Sequence, residues 1–505
     1  MSQSAKTFHL LPGEEMLEIQ EFNDSLPETP PSAIRDLEML AGVHRGKDIG
    51  KRGPVVASIP LESHVGIPEY DKYEAEFVRD GERAAKNLLF RYPNLARNTL
   101  LRFAELQGVS NAPSREEELG RIPHEIRYPE VDPVARQLTE ERGWGWPYYG
   151  AVDSTLEFTR TLIAYCRSQP SNMGFLQQTF IGRDKNVHRM VDALDSAVNW
   201  TTRRLDSNKE GLLEFRKAIP RGIENQVWRD AWDSYHHADG ITMANHDSGV
   251  ASTEVQRVAY DTLLDAAELY QELGNSQLGE ELSKRANTIR HQLLGKFWND
   301  SRGGFFVLGL DRDKNGNHRQ LTIKTSDMGH LLHSRFLADD IPSSTEMVES
   351  IIIQLFSREL LSCSGIRTLA SSEKRFRAGA YQNGSVWLWE NYLIAQGLDY
   401  HGYHGLASFL KRCILDVIHT TRRMPEYVRG GFDNTHRVNT RKITVWDSAN
   451  KRKNVAEEPP QDIHATTAAA VLAIKLEHNK MPTEAKDGRK RSLETKVLAT
   501  IPFAH

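Results

Sequence analysis

Hydrophobic and polar positions in this 505-residue chain alternate mainly with helical spacing, and the helical stretches come in pairs. Apolar residues recur every three to four positions, the period that places them on one face of an α-helix. Strand-like patterns are few, and the best lie at residues 53–60 and 303–309. The pattern predicts helices at residues 69–90, 94–108, 155–168, 187–205, 255–274, 277–298, 326–337, 345–356, 384–397, 404–419 and 462–476, with a further helix near 493–500.

Long loops separate the predicted helix pairs, at residues 109–152, 206–253, 357–383 and 421–461. Loops of this length inside a compact domain are usually functional, and most of the chemically informative residues fall in them. Helical hairpins with their chemistry in the loops at one end predict an all-α fold in the form of a closed ring. The alternative is an open helical solenoid, which requires a motif repeated at fixed period, and the sequence shows none.

Composition and charge exclude several classes of function. Hydrophobic residues make up 39% of the chain and charged residues 26%, so a large core is possible. The formal net charge of −4 argues against a nucleic-acid partner and an anionic membrane surface. The three cysteines, Cys166, Cys363 and Cys413, lie far apart without metal-ligand spacing, which predicts a cytoplasmic protein without a structural zinc site.

The segment at residues 225–234 concentrates two aromatic platforms, one guanidinium and two carboxylates in ten residues. Trp228 and Trp232 offer flat faces for stacking on a sugar ring. Arg229 and Asp230 offer fixed donors and acceptors for hydroxyl groups, and Asp230 or Asp233 could donate a proton if its pocket raised its pKa. The alternative is an amphipathic loop with a surface ion pair.

Other loops carry residues of the same kind, each with a structural alternative. Asp80 follows Arg79 and could form a surface pair with it; Asp153 could bind a ligand or cap the next helix. Arg367 could hold an acidic or hydroxylated ligand, or it could brace Glu390. The segments concerned are 77–80, 120–127 (a hydrogen-bond network that pins a loop), 144–154 (rich in aromatics), 365–369, 381–387, 424–427 and 459–461.

Glu426 follows Pro425, which stiffens the chain before a carboxylate in a loop bounded by glycines. A carboxylate held in this way could act as a general base, whereas a loop glutamate is otherwise simply solvated.

Taken in order, these segments resemble the six-hairpin glycosidases, in particular the amylo-α-1,6-glucosidase-like branch. The resemblance is carried from Phe77 to Gln461 by Phe-x-Arg-Asp, Gly-Arg-Ile-x-His-Glu-x-Arg, Tyr-Tyr-Gly-x-Val-Asp-Ser-Thr, Asn-Gln-x-Trp-x-Asp, Gly-Ile-Arg-Thr-Leu, Tyr-x-Asn-Gly-Ser-Val-Trp, Pro-Glu and Pro-Gln. The chain departs from the family at Ala231, at residues 388–391 and after Tyr427.

The resemblance implies an (α/α)6 toroid over residues 70–505, with a short irregular N-terminal arm over residues 1–69. It also implies inverting hydrolysis of an α-glycosidic, here α-glucosidic, bond by two carboxyl groups. We assign Asp233 as the acid from its spacing after Trp228, with Asp230 as the competing candidate, and Glu426 as the base. The residues expected to bind substrate are Asp80, Trp146, Tyr149, Asp153, Trp228, Asp230, Arg367, Tyr381, Asn383, Trp387 and Gln461. No metal or organic cofactor is implied.

The expected partner is therefore a small carbohydrate or glycoside, with short α-glucans and glucosylglycerate-like solutes among the candidates. Two rivals stay open: a sugar epimerase or lyase on the same toroid, in which His236 or His237 would act, and a carbohydrate-binding protein without catalysis. The loop at residues 429–458 is basic and could form a lid that favours an acidic aglycone, or it could be solvated.

Overall fold

The computed structural model describes residues 39–40, 43–44, 47–48, 55–337, 344–477 and 488–501, so most of the predicted N-terminal arm lies outside it. The helices within these ranges are α1 (Pro68–Asp71), α2 (Val78–Asn87), α3 (Pro93–Glu105), α4 (Pro133–Arg142), α5 (Asp153–Ser168), α6 (Met190–Asp206), α7 (Thr253–Glu272), α8 (Ser276–Gln292), α9 (Asp327–His330), α10 (Ser344–Leu355), α11 (Leu388–Tyr400), α12 (His404–Thr421), α13 (Ala465–Glu477) and α14 (Gly488–Ala499).

The strands are short and almost all are paired antiparallel in twos, apart from one three-stranded sheet, β12-β11-β8. They are β1 (Val43–His44), β2 (Lys47–Asp48), β3 (Ser58–Ile59), β4 (Glu76–Phe77), β5 (Glu125–Ile126), β6 (Thr179–Ile181), β7 (Val187–Arg189), β8 (Ala251–Ser252), β9 (Trp298–Asn299), β10 (Phe305–Phe306), β11 (Gly309–Arg312), β12 (His318–Gln320), β13 (Leu361–Ser362), β14 (Gly365–Ile366), β15 (Val386–Trp387), β16 (Tyr427–Val428), β17 (Ile443–Asp447), β18 (Arg452–Glu457) and β19 (Ile463–His464).

Alternate helices form a closed inner ring. Helix α2 packs on α5, α5 on α7, α7 on α9, α9 on α11, α11 on α13, and α13 returns to α2. The intervening helices pack against the outside of this ring, with α8 along α7 and α12 along α11. This is the (α/α)6 toroid that the sequence predicted. In the described ranges, the structure contains no helix both long and apolar enough to cross a lipid bilayer.

Four inner helices begin directly after a two-residue strand. Strands β4, β8, β15 and β19 lead into α2, α7, α11 and α13 without an intervening residue. Because each of these strands is paired, the entry into each helix is fixed at the same end of the ring. Strand β3, near the end of the predicted arm, pairs with β19, which attaches this part of the arm to the last inner helix.

The predicted helices are present, with shifted ends. The prediction at residues 69–90 includes β4 and a short helix before α2, and the prediction at residues 326–337 covers the four-residue α9 followed by 3-10 turns. Helix α8 ends at Gln292, where a π-helical turn begins. Sequence reasoning missed α4, although Asp132 caps it through the amides of Val134 and Ala135. It also missed the hairpin β17–β18 inside the loop at residues 421–461.

Candidate active site

A narrow cavity of about 50 Å³ lies where the inner helices begin. Aromatic and charged side chains share its wall, which suits a ligand with apolar ring faces and polar edges. The lining residues are Ala57, Tyr73, Phe77, Arg79, Asp80, Arg83, Trp228, Asp230, Tyr381, Trp387, Trp389, Glu426 and His464.

The strand pairs that precede the inner helices deliver several of these side chains. In the pair β15–β16, Trp387 lies opposite Tyr427, and the adjacent Glu426 lines the same cavity as Trp387. In the pair β4–β5, Phe77 ends the strand and Arg79 and Asp80 occupy the first turn of α2. The cavity is therefore built from chain segments that are far apart in sequence.

Three tryptophans form one wall of the cavity. The Trp228 ring meets the Trp387 ring edge-on at 5.9 Å and the Trp389 ring at 5.2 Å. The Trp228 Nε1–H donates to the Asp327 carboxylate at 2.9 Å, which fixes the orientation of the indole. The Arg83 guanidinium carbon lies 3.8 Å from the Trp389 ring centroid, a cation–π contact on the same wall.

Glu426 is 2% exposed and accepts two hydrogen bonds. The Tyr381 hydroxyl donates to its Oε1 at 3.2 Å, and the Gln461 backbone N–H donates to its Oε2 at 3.3 Å. Burial raises the pKa of Glu426 to about 8, against the opposing influence of the Lys72 cation. Tyr381 has a φ of 40°, a backbone conformation that costs about 1–3 kcal/mol for a non-glycine residue and is concentrated at functional sites.

Asp230 faces the same cavity with its side chain 30% exposed. The Gln382 side-chain amide donates to its Oδ1 at 3.3 Å, and Arg79 Nη2 lies 3.8 Å from its Oδ2. Burial raises the pKa of Asp230 to about 6, although Arg79 and the Gln382 hydrogen bond act in the other direction. Asp230 thus combines access to a ligand with a pKa suited to proton donation near neutral pH.

Asp233 has different surroundings. Its Oδ2 accepts from Arg375 Nη2 at 2.9 Å and from Asn454 Nδ2 at 2.8 Å, and Asp233 does not line the cavity. Arg375 also pairs with Asp447 at 3.1 Å. Since Asn454 and Asp447 belong to β18 and β17, the Asp233 carboxylate ties the motif at residues 225–234 to the hairpin β17–β18.

The structure brings six of the predicted site residues to the cavity: Asp80, Trp228, Asp230, Tyr381, Trp387 and Glu426. Two others lie directly behind these six. Asp153 is buried with Oδ2 3.4 Å from Arg79 Nε, and Gln461 contacts Glu426 through its backbone while its side chain bonds Ser58 and the Glu69 carbonyl.

Four predicted ligands point elsewhere. Trp146 Nε1–H donates to the Thr139 hydroxyl, and the Tyr149 hydroxyl donates to the Leu106 carbonyl. Asn383 donates to the Asp233 carbonyl. Arg367 is 2% exposed and its guanidinium donates to backbone carbonyls, among them those of Leu361, Gly430 and Gly431. Its donors therefore hold the loop that follows Glu426.

Several lining residues were not predicted. Tyr73, Phe77 and Arg83 lie on or beside α2. Phe77 opens the Phe-x-Arg-Asp motif but was not among the expected substrate ligands, whereas Tyr73 and Arg83 gave no signal. Trp389 lies in a segment that departs from the family pattern, and that departure was the available clue. His464 ends β19, with Nε2 3.5 Å from Asp80 Oδ1.

Other places suit a sugar less well. A larger, open depression of about 550 Å³ is lined by Arg429, Phe432 and Arg437 among others, but no tryptophan contributes to it. His236 and His237, the residues that an epimerase would use, are bound to the His237 carbonyl and to Asp311 respectively, and neither lines the tryptophan-walled cavity.

Comparison with known proteins places this geometry in a family. The model described as mannosylglycerate hydrolase MGH1-like glycoside hydrolase domain matches residues 125–433. The crystal structure of GH63 mannosylglycerate hydrolase from Thermus thermophilus in complex with glucose aligns with a TM-score of 0.57 at 14% identity, over 89% of this chain and 100% of that chain. The same enzyme in complex with Tris and D-glycerate gives 0.54 at 14% identity, over 88% and 98%. No curated protein sequence matches the chain. The predicted resemblance to six-hairpin glycosidases is confirmed.

Proposed function

Because the chain belongs to the mannosylglycerate hydrolase MGH1-like glycoside hydrolase family, we propose that it hydrolyses a small α-glycoside with inversion at the anomeric carbon. The observation that carries the proposal is that two carboxyl groups of raised pKa, Asp230 and Glu426, line one tryptophan-walled cavity.

The proposed reaction is a single displacement. Asp230 donates its proton to the glycosidic oxygen while the bond from that oxygen to the anomeric carbon breaks. Glu426 removes a proton from the water that attacks the opposite face of that carbon, so a hexose of inverted configuration and a free alcohol leave the site. Asp230 replaces Asp233 as the acid in this proposal, because the Asp233 carboxylate is occupied by Arg375 and Asn454 outside the cavity.

The proposed sugar is a single hexose unit, glucose or mannose, stacked on the tryptophan wall. Arg79, Asp80 and His464 line the cavity and offer donors and acceptors to its hydroxyl groups.

The proposed aglycone is a small hydroxy acid such as glycerate. Support comes from Arg79 and Arg83, two arginines that line the cavity and whose guanidinium groups suit a carboxylate. The related Thermus thermophilus enzyme has been crystallised with glucose and with D-glycerate.

Proton NMR during turnover tests the proposal. The purified protein is offered α-mannosylglycerate, α-glucosylglycerate, maltose and isomaltose, and the anomeric protons are followed from the first minute. We expect release of the β-anomer first from a glycosyl glycerate. Initial release of the α-anomer would refute inversion, turnover of the disaccharides alone would refute the acidic aglycone, and an altered sugar with its glycosidic bond intact would indicate the epimerase instead.

A further inference from the structure

Lys72 is a largely buried cation beside the catalytic cavity. It belongs to none of the sequence motifs and lies outside residues 125–433, the region that the family model matches. Its side chain is 22% exposed, and its ammonium donates to the Glu458 carboxylate at 2.9 Å. The same ammonium lies 4.6 Å from the centroid of the Tyr73 ring and 6.0 Å from that of the Tyr381 ring. Tyr381 in turn donates to Glu426.

The backbone around Lys72 is also fixed. The Lys72 carbonyl accepts a hydrogen bond from Arg127, whose guanidinium is held by Glu125 and Asp132. A long, flexible side chain loses rotamer freedom when it is held in this way. The side-chain entropy that Lys72 loses is offset by these contacts, so the ammonium is held in one position.

We propose that Lys72 is a positioning residue, whose ammonium, anchored by Glu458, favours the ionised form of the Glu426 carboxylate that takes the proton from the attacking water. This inference rests on the proposed function of Glu426 as the base. The charged and titratable groups closest in influence on Glu426 are Lys72, Tyr73, Asp230, Tyr381, Tyr427 and Glu458. Arg79, Asp80, Arg83 and His464 also line the cavity that Glu426 faces. Among the cations near the cavity, Lys72 is the one whose charge acts most strongly to lower the pKa of Glu426.

A cation near Glu426 matters because the inverting reaction requires one particular protonation state of the two carboxyl groups. Asp230 must be protonated and Glu426 ionised, yet their pKa values are about 6 and about 8. With these pKa values Asp230 is mostly ionised and Glu426 mostly protonated at pH 7, so a minority of the enzyme molecules holds the combination that inversion requires. Removal of a nearby cation raises a carboxyl pKa by about one unit or more, which would reduce the productive fraction about tenfold.

The test compares Lys72→Met, Lys72→Arg and the matched control Lys284→Met, which removes a lysine from the exposed face of the outer helix α8. The pH profile of kcat/KM reports the free enzyme. In wild type we expect limbs near pH 6 and pH 8. In Lys72→Met the upper limb should move up by about one unit, with an about tenfold loss at pH 7 and an unmoved lower limb. Lys72→Arg and Lys284→Met should keep the wild-type profile. An unmoved limb in Lys72→Met, or an equal shift in Lys72→Arg, would overturn the inference.

Infrared titration separates failure of this inference from failure of the proposed function. The carboxylic-acid band of Glu426, identified by its loss in Glu426→Gln, should persist to higher pH in Lys72→Met whether or not a substrate is known. If Glu426→Gln kept full activity, the base assignment would fail while this titration still tested the effect of Lys72. If Glu426→Gln were inactive and the band titrated identically in Lys72→Met and wild type, only the role of Lys72 would fail.

Discussion

Replacement of Asp230 by asparagine should strongly reduce the catalytic rate, whereas replacement of Asp233 should change it little. Asp230→Asn removes the proposed proton donor without changing the shape of the cavity. General acid catalysis contributes about 10²- to 10⁴-fold, or about 3–5 kcal/mol of barrier. We expect kcat on a glycosyl glycerate to fall by that factor.

Asp233→Asn should mainly affect the hairpin β17–β18. Its carboxylate oxygen accepts from Arg375 and Asn454, and Arg375 keeps its second partner, Asp447. Exchange of charge-assisted for neutral hydrogen bonds costs about 1 kcal/mol. We therefore expect slightly lower stability in urea and a kcat within about tenfold of wild type.

A leaving group that needs no proton isolates the acid. Hydrolysis of the matching α-glycosyl fluoride should be nearly unaffected in Asp230→Asn, because fluoride departs unprotonated. Steady-state rates of both variants on the fluoride and on the glycosyl glycerate complete the assay. The reassignment of the acid would be wrong if the two variants exchanged these behaviours. In that case the hydrolysis rate of Asp233→Asn would fall by three orders of magnitude on the glycosyl glycerate but not on the fluoride, while Asp230→Asn stayed active on both substrates.

Three further outcomes can be measured. Glu426→Gln should lose about 10²-fold or more, and azide should restore turnover by forming a glycosyl azide of inverted configuration, detectable by NMR; a retained azide product would contradict the role of the base. Arg367→Met should lower the free energy of unfolding in urea by about 3–5 kcal/mol, because several buried carbonyls lose their donors; unchanged stability would contradict this structural role. Trp389→Phe should weaken the wall and its contact with Arg83 by about 1 kcal/mol, seen as a roughly fivefold rise in KM at similar kcat; an unchanged KM would place the sugar elsewhere.

The fold was predictable because paired helical periods persist from residue 69 onwards. Helix ends were less predictable, because two-residue strands such as β15 and β19 are too short to show the alternating pattern of a strand. Their residues were therefore predicted as the first turn of the helix that follows. Helix α4 was missed because its apolar face is narrow, with Ala135 as its single buried residue.

The candidate site was predictable where motifs carry paired carboxyl and aromatic residues, as at Asp230 and Glu426. Spacing did not reveal which aspartate faces the cavity, because that depends on the partners each one finds in distant segments, here Arg375 and Asn454 for Asp233. Lys72 gave no signal, since a lysine in a polar segment is ordinary until the fold places it next to Glu458.

The contact between α2 and α13 makes assembly of the catalytic cavity a late event during synthesis. Asp80 and Phe77 are translated early, yet their neighbour His464 and the strand that pairs with Ser58 come almost 400 residues afterwards. Contacts between such distant positions slow folding and leave apolar surface exposed meanwhile. A nascent chain that stops before α13 would therefore present an open arc of helices, with the incomplete cavity facing the quality-control machinery of the cell.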